Sequence, residues 1–160
     1  MSKELQLSEN AKKHLNYSEQ FIRLKRALSS KFFLEAVFIE YSIMEDRTES
    51  ILRHADKWEA YLKKQRGNRP SIDSKIRYIM DFAREKKSVG HRYFSGPLLD
   101  DILCWKEDRN TLIHALLKQN VTTEQLEEFA RRGENLAKAL RNRTSSFNRA
   151  MERQKTKQQI

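Results

Sequence analysis

The sequence predicts an all-α protein built as an up-and-down bundle of four to five helices. Glycine and proline are scarce, with only four glycines and two prolines in 160 residues, and most of them fall within residues 67–70 and 90–97. This distribution leaves few turns for a sheet. Apolar residues also recur every three or four positions along most of the chain, which is the period of an amphipathic helix. The stretches between these segments are short, as in a helical bundle.

The first two helices are predicted from the spacing of their apolar residues. A helix from about Ser18 to Ser29 is indicated by four apolar side chains at helical spacing, namely Phe21, Ile22, Leu24 and Leu28. The segment from Phe32 to His54 repeats the pattern at Phe33, Val37, Tyr41 and Met44. It should form the longest early helix, with its apolar side in the core.

A basic loop over residues 63–70 then interrupts the pattern. Ser71 follows as an N-cap, because its hydroxyl can accept a hydrogen bond from the first turn of a helix running to about Lys87. After a second loop around Gly90, Pro97 suits the first turn of a helix from about Leu98 to Lys118.

The last helix is predicted to begin near Thr122, which forms a capping-box pattern with Gln125. It should continue through a series of apolar residues to Phe147. Residues 1–150 are then a single domain, and residues 151–160, which are polar and basic, are predicted to be a frayed tail.

The charge of the chain indicates an anionic partner. It has 32 Lys and Arg residues against 22 Asp and Glu, a net charge of +10. Such an excess attracts a polyanion such as RNA or DNA. An acidic protein partner and simple solubility remain as alternatives.

The sequence also indicates the compartment. No stretch approaches the ~18 apolar residues needed to span a membrane, and the N-terminus lacks the apolar segment of a secretory signal. The single Cys104 cannot form an internal disulfide, which favours a reducing environment. We therefore expect a cytoplasmic protein with no membrane partner.

One short run, residues 106–114, carries residues that fit phosphate chemistry. It places Arg109, Asn110 and His114 within about one and a half turns of the helix predicted over residues 98–118. Arginine can neutralise a phosphate with a planar and permanent charge, whereas histidine titrates near neutral pH and can move a proton. Asn110 and His114, four residues apart, can be hydrogen-bond neighbours. These are the groups that a metal-free RNA-cleaving site needs.

A helical wheel places the Cα of Arg109 inside the apolar arc and His114 at its border. Three explanations for Arg109 are open. It pairs with a buried acid from another helix, extends its head to water along an apolar stem, or projects into a cleft or subunit interface where it meets a phosphate. The histidines are otherwise scattered and no glycine-rich phosphate loop occurs, so we expect no metal and no cofactor.

Arg109-Asn110 and His114 resemble the signature of the HEPN domains, a family of small all-α proteins: an arginine, often a polar residue after it, and a histidine following four to six intervening positions. The resemblance implies a metal-independent endoribonuclease that works as a homodimer, with two motifs facing one cleft. Members often act in toxin-antitoxin or phage-defence systems, which implies a cognate antitoxin protein as a partner besides RNA. Arg47 and His54 also have a permitted spacing, but Thr48 follows the arginine, and a solvated face is the role expected for this pair.

The resulting hypothesis gives each residue a role. His114 acts as general acid or base when an RNA 2′-hydroxyl attacks its adjacent phosphate, Arg109 stabilises the phosphoryl oxygens, and Asn110 positions the substrate or the histidine. Seven basic residues are candidates for binding the RNA backbone: Lys63, Lys64, Arg66, Arg69, Lys118, Arg131 and Arg132. The rival hypothesis is a non-catalytic helical module that binds nucleic acid or protein, with Arg109 paired to Glu40 or Glu45.

Overall fold

The computed structural model describes residues 9–118 and 120–158, and their side chains from Asn16 onward. This part of the chain contains seven helices and no strand, so the predicted all-α bundle is confirmed. The helices are α1 Glu9–Ser29, α2 Phe33–His54, α3 Trp58–Lys64, α4 Ile72–Phe82, α5 Val89–Phe94, α6 Leu98–Leu116 and α7 Thr123–Gln158.

The structure has more helices than the four to five predicted, and the additional ones are the two short helices α3 and α5. Each has only one or two turns, which is too short for a period of apolar residues to be recognised in the sequence. Helix α3 is held by Tyr61, which is fully buried and whose hydroxyl is hydrogen-bonded to that of Ser74 at 2.7 Å. Lys63 and Lys64, expected in a loop, therefore lie in the last turn of α3.

The predicted starts of α4 and α7 are confirmed by reciprocal hydrogen bonds. The Ser71 hydroxyl accepts from the backbone N–H of Ser74, and the Ser74 hydroxyl accepts from that of Ser71, both at 3.2 Å. The Thr122 N–H donates to the Gln125 side chain at 2.9 Å, and the Gln125 N–H donates to the Thr122 hydroxyl at 3.2 Å. Helix α4 ends at Phe82, earlier than predicted.

Helix α2 lies at the centre of the bundle and packs mainly against α7, to which it runs parallel. Glu40 lies beside Gly133 near one end of this pair, Ser50 accepts a hydrogen bond from Asn148 further along, and His54 lies near Glu152 at the other end. Helix α1 runs antiparallel to α7. This arrangement leaves α6 to cross α7 where Trp105 stacks on Phe129, with ring centres 5.2 Å apart.

Helix α7 does not end after Phe147 but continues through Gln158. The segment expected to be a frayed tail from residue 151 is thus helical to residue 158. Met151 packs against the core, and Lys155 forms an ion pair with Asp56 at 2.7 Å. Among the described helices, none combines the length and the apolar character needed to cross a membrane.

Candidate functional site

Arg109 points from α6 towards α2, where aromatic rings hold its guanidinium group. The central guanidinium carbon lies 4.4 Å from the ring centre of Tyr41 and 5.1 Å from that of Phe38. One terminal nitrogen donates to the Asn110 side-chain oxygen at 3.3 Å. The Nε atom is buried and makes no hydrogen bond with any described residue. No carboxylate of the described chain forms an ion pair with Arg109, so its charge is not neutralised by a fixed acid.

The ion pair that the rival hypothesis gives Arg109, with Glu40 or Glu45, is not formed. Glu40 is fully buried on the side of α2 that faces α7, and neither carboxyl oxygen has a hydrogen-bond partner among the described residues. Glu45 instead lies 3.6 Å from the ammonium nitrogen of Lys75 on α4. The sequence could not separate these acids from Tyr41, because all three lie on the same helix.

Glu40 is held in its neutral form by its surroundings. The pKa of this carboxyl is raised to about 9, mainly by burial and also by the nearby charge of Glu134, whereas Arg131 lowers it in part. A carboxylic acid with no partner keeps its proton in such a position, because the ionised form would lose its hydration. Glu40 is therefore a structural residue next to the motif helix.

Tyr41 also stays neutral, and charged residues of α2, α4 and α6 lie near its hydroxyl. Burial is the main cause that raises the pKa of its hydroxyl, and the charge of Glu45 adds to it, whereas Arg109 and Lys106 lower it. Lys106 donates to Asp73 at 2.7 Å. This bond joins the motif helix to the first turn of α4, directly after the basic loop.

Asn110 and His114 are both exposed on α6. The Asn110 oxygen turns back to Arg109 and does not meet His114. His114 makes no hydrogen bond or ion pair with the described residues. Arg109 and His114 differ by five positions, about 140° around a helix axis. One protomer therefore brings Arg109 and Asn110 together and leaves His114 on a different side.

The predicted RNA-binding residues form two groups. Three of them already have acidic partners, since Lys64 lies 3.9 Å from Asp81, Arg131 bridges Glu127 and Glu134 at 3.5 Å each, and Arg132 pairs with Asp108. Four are exposed and without an ion pair among the described residues, and these are Lys63, Arg66, Arg69 and Lys118. The residues of this second group have positive charges that are available to contact a phosphate backbone.

The second arginine-histidine pair does not lie on a solvated face as expected. The side chain of Arg47 is only 12% exposed, pairs with Asp46, and lies 3.8 Å over the ring of Tyr17. His54 Nδ1 lies 2.9 Å from the carbonyl oxygen of Ser50. Arg47 is thus a packing residue between α1 and α2.

Sequence reasoning missed the aromatic support of Arg109 and the apolar surface beside it. Large apolar side chains remain exposed in the second half of α1, directly before α2 and in the first turns of α2, namely Ile22, Phe32, Leu34 and Phe38. Leu34 and Phe38 are four residues apart and share a helix face. In the sequence, this exposed surface could have been recognised because Leu34 and Phe38 lie off the buried apolar stripe of α2. Phe38 also contacts Arg109, so this apolar surface reaches the motif.

Comparison with protein-family models, with curated proteins and with solved structures finds no match to this chain. The resemblance to the HEPN domains therefore depends on Arg109, Asn110, His114 and the helical bundle that carries them. Among the described residues, no group of three or more His, Cys, Asp or Glu side chains could hold a metal ion.

Proposed function

We propose that this protein is a metal-independent endoribonuclease of the HEPN type. The observation that carries the proposal is the state of Arg109. Two aromatic rings and an amide fix its position, while no carboxylate among the described residues pairs with it. A guanidinium group held in this way is suited to bind a phosphate with two parallel hydrogen bonds. A structural arginine in the same place would be expected to have an acidic partner.

The chemistry assigned to the motif is attack of a 2′-hydroxyl on the adjacent phosphorus. An imidazole of His114 takes the proton of the 2′-hydroxyl as the new P–O bond forms. The bond from phosphorus to the 5′-oxygen breaks, and the leaving oxygen takes up a proton. The products are a 2′,3′-cyclic phosphate and a 5′-hydroxyl end. Arg109 stabilises the charge on the non-bridging oxygens during this step.

A homodimer is part of the proposal, because Arg109 and His114 diverge within one helix. A second copy of the chain can bring its own His114 to the phosphate held by Arg109. The exposed Leu34 and Phe38 support an interface at this place, since a contiguous apolar surface commonly marks a contact with another protein.

Basic residues on both sides of the motif support RNA as the substrate. Lys118 follows the end of α6, one turn beyond His114. On the other side, the hydrogen bond between Lys106 and Asp73 holds the start of α4 against the motif helix. Arg69 precedes Asp73 by four residues and therefore lies within about 14 Å of Asp73. Both positions can contact the backbone of an RNA that crosses the motif.

The biological setting follows from the resemblance alone. HEPN ribonucleases often act in toxin-antitoxin or phage-defence systems, so we propose a cytoplasmic RNA substrate and an antitoxin protein as regulator.

The test is RNA cleavage by the purified protein in the presence of a chelator. His114→Ala should lower the rate by about 10²–10⁴-fold, which is the usual contribution of general acid-base catalysis. His54→Ala is a matched control, because it removes a partly exposed histidine from the second arginine-histidine pair. Cleavage by His114→Ala at the rate of the unmodified chain would refute the assignment.

A second function, RNA binding without cleavage, is favoured by the separation of His114 from Arg109 in one protomer. The same experiment distinguishes it. Binding of RNA by the unmodified chain, with intact substrate after prolonged incubation at several pH values, would favour the binding module.

A further inference from the structure

A second anion-binding surface is indicated by a groove between α1 and α7, which we call the α1–α7 groove. It has a volume of about 430 Å³ and lies on the two antiparallel helices. Leu24 and Leu28 of α1 form its apolar floor and are buried. Four cations line it, Lys25 from α1 and Arg131, Lys138 and Arg141 from α7, against one carboxylate, Glu134.

The charges within the α1–α7 groove do not cancel. Glu134 takes up two of the cations, since it lies 2.6 Å from Lys138 and 3.5 Å from Arg131. Lys25 and Arg141 form no ion pair with any described residue. Unpaired cations that share a concave surface attract an anion more strongly than cations spread over a convex one.

Arg141 is held in place by an aromatic ring and an amide. Its guanidinium carbon lies 4.5 Å from the centre of the Phe21 ring, and its Nε donates to the Asn142 side-chain oxygen at 3.3 Å. Tyr17 packs edge-on against the same ring, with centres 5.5 Å apart. The guanidinium group thus lies over the Phe21 ring and remains partly exposed, as a contact with a base requires.

The dimensions of the groove fit a single strand. The groove follows the line along which two neighbouring helices meet, and helix axes in such pairs are about 8–10 Å apart, so a single strand can lie along it whereas a duplex is too wide to enter. From Arg131 to Arg141 the helix rises about 15 Å, the length of a few nucleotides. At the Arg131 end, the next residue is Arg132, which pairs with Asp108 directly before Arg109. The groove therefore leads to the motif helix.

We propose that the α1–α7 groove binds a single-stranded segment of the RNA substrate outside the cleavage site. Lys25 and Arg141 contact phosphates, and a base stacks on the Arg141 plane. This proposal rests on the proposed function only in naming the RNA as a substrate, because binding at the groove does not need cleavage.

The experiment measures the affinity of a short single-stranded RNA for the His114→Ala protein at several salt concentrations. In this background, Lys25→Gln with Arg141→Gln should weaken binding about tenfold and lower the slope of log affinity against log salt by about 1.4, the value for two lost phosphate contacts on a single strand. Lys25→Gln alone, at an exposed position, should give about half of that change in slope.

The matched control is Arg149→Gln with Arg153→Gln, which removes two charges from the far end of the same helix α7. This control should leave the slope unchanged. An equal change in the control, or an unchanged slope in both groove variants, would overturn the proposal. Since no variant is assayed for cleavage, loss of binding in the groove variants supports the groove even if the unmodified chain cuts no RNA.

Arg141→Lys tests the base contact. This substitution keeps the positive charge but removes the planar guanidinium group, so it should weaken binding of the RNA and leave binding of inorganic polyphosphate unchanged. Equal weakening of both ligands, or of neither, would contradict stacking on Arg141.

Discussion

The guanidinium group of Arg109 lies 4.4 Å from the ring centre of Tyr41, and this contact between α6 and α2 takes the place of a salt bridge for a half-buried arginine. The ring stabilises the cation without cancelling its charge for a ligand, whereas a carboxylate would compete with a phosphate for the same hydrogen-bond donors. Tyr41 is therefore a positioning residue for the proposed site.

Replacing Tyr41 by leucine should lower RNA cleavage about tenfold, because it removes a cation-π contact of about 1 kcal/mol and lets Arg109 move. Tyr41→Phe keeps the ring and should retain most of the activity. The measurement is kcat for both variants, with thermal unfolding as a check on the fold. Equal activity of the two variants would show that the ring does not position Arg109.

The position of Arg109 shows how far the sequence could predict this site. The helical wheel correctly indicated that the arginine faces other helices, because the period of α6 is a local property. It could not identify the partner, since α2 carries Phe38, Tyr41 and two acids within about two turns and only the packing angle decides between them. The Ser71 cap was predicted because its hydrogen bonds are local, whereas α3 and α5 are too short to show a period.

Glu40→Gln should change how stability depends on pH. Burial raises the pKa of Glu40 from its usual value of 4.5 to about 9, so the folded protein holds a proton that the unfolded chain releases over this range. The stabilisation is complete below about pH 4.5 and is lost as the pH rises towards 9. Glutamine is neutral throughout and should remove this slope. Urea unfolding at pH 5, 7 and 9 measures it, and identical slopes in the two proteins would mean that Glu40 is ionised in the fold.

Gly133→Ala should destabilise the protein by about 1–3 kcal/mol, the usual cost of overpacking a core. A Cβ atom at this position would lie 2.1 Å from a carboxyl oxygen of Glu40 and 2.7 Å from the Trp105 ring. Gly96→Ala is the control, because its Cβ would meet only the end of the Arg143 side chain at 3.4 Å. Unfolding midpoints in urea compare the two, and a Gly133→Ala protein as stable as the control would contradict the close packing of α2, α6 and α7.

Leu34→Glu should disrupt the proposed dimer and reduce cleavage with it. Leu34 is exposed on α2, one turn from Phe38, and a charge in the centre of an apolar interface is costly to bury. Ala60→Glu places the same charge on the exposed side of α3 and should leave the mass unchanged. Sedimentation gives the mass of each variant. A Leu34→Glu protein that stays dimeric would place the interface elsewhere.

A mixture of inactive variants tests whether two copies complete the site. Arg109→Ala and His114→Ala should each be inactive alone, because each lacks one of the groups that must meet at the phosphate. If the arginine of one copy works with the histidine of the other, each mixed dimer holds one complete site. Half of the dimers in an equal mixture are mixed, so about one quarter of the original activity should return after subunit exchange.

If the site lies within one copy, a different fraction of the activity should return. If Arg109 and His114 of the same helix served one phosphate, every site in the mixture would lack one group and no activity would return. The diverging directions of Arg109 and His114 on α6 favour the first result. A rate that stays at the level of the separate variants, with subunit exchange confirmed by mass, would exclude a site shared between copies.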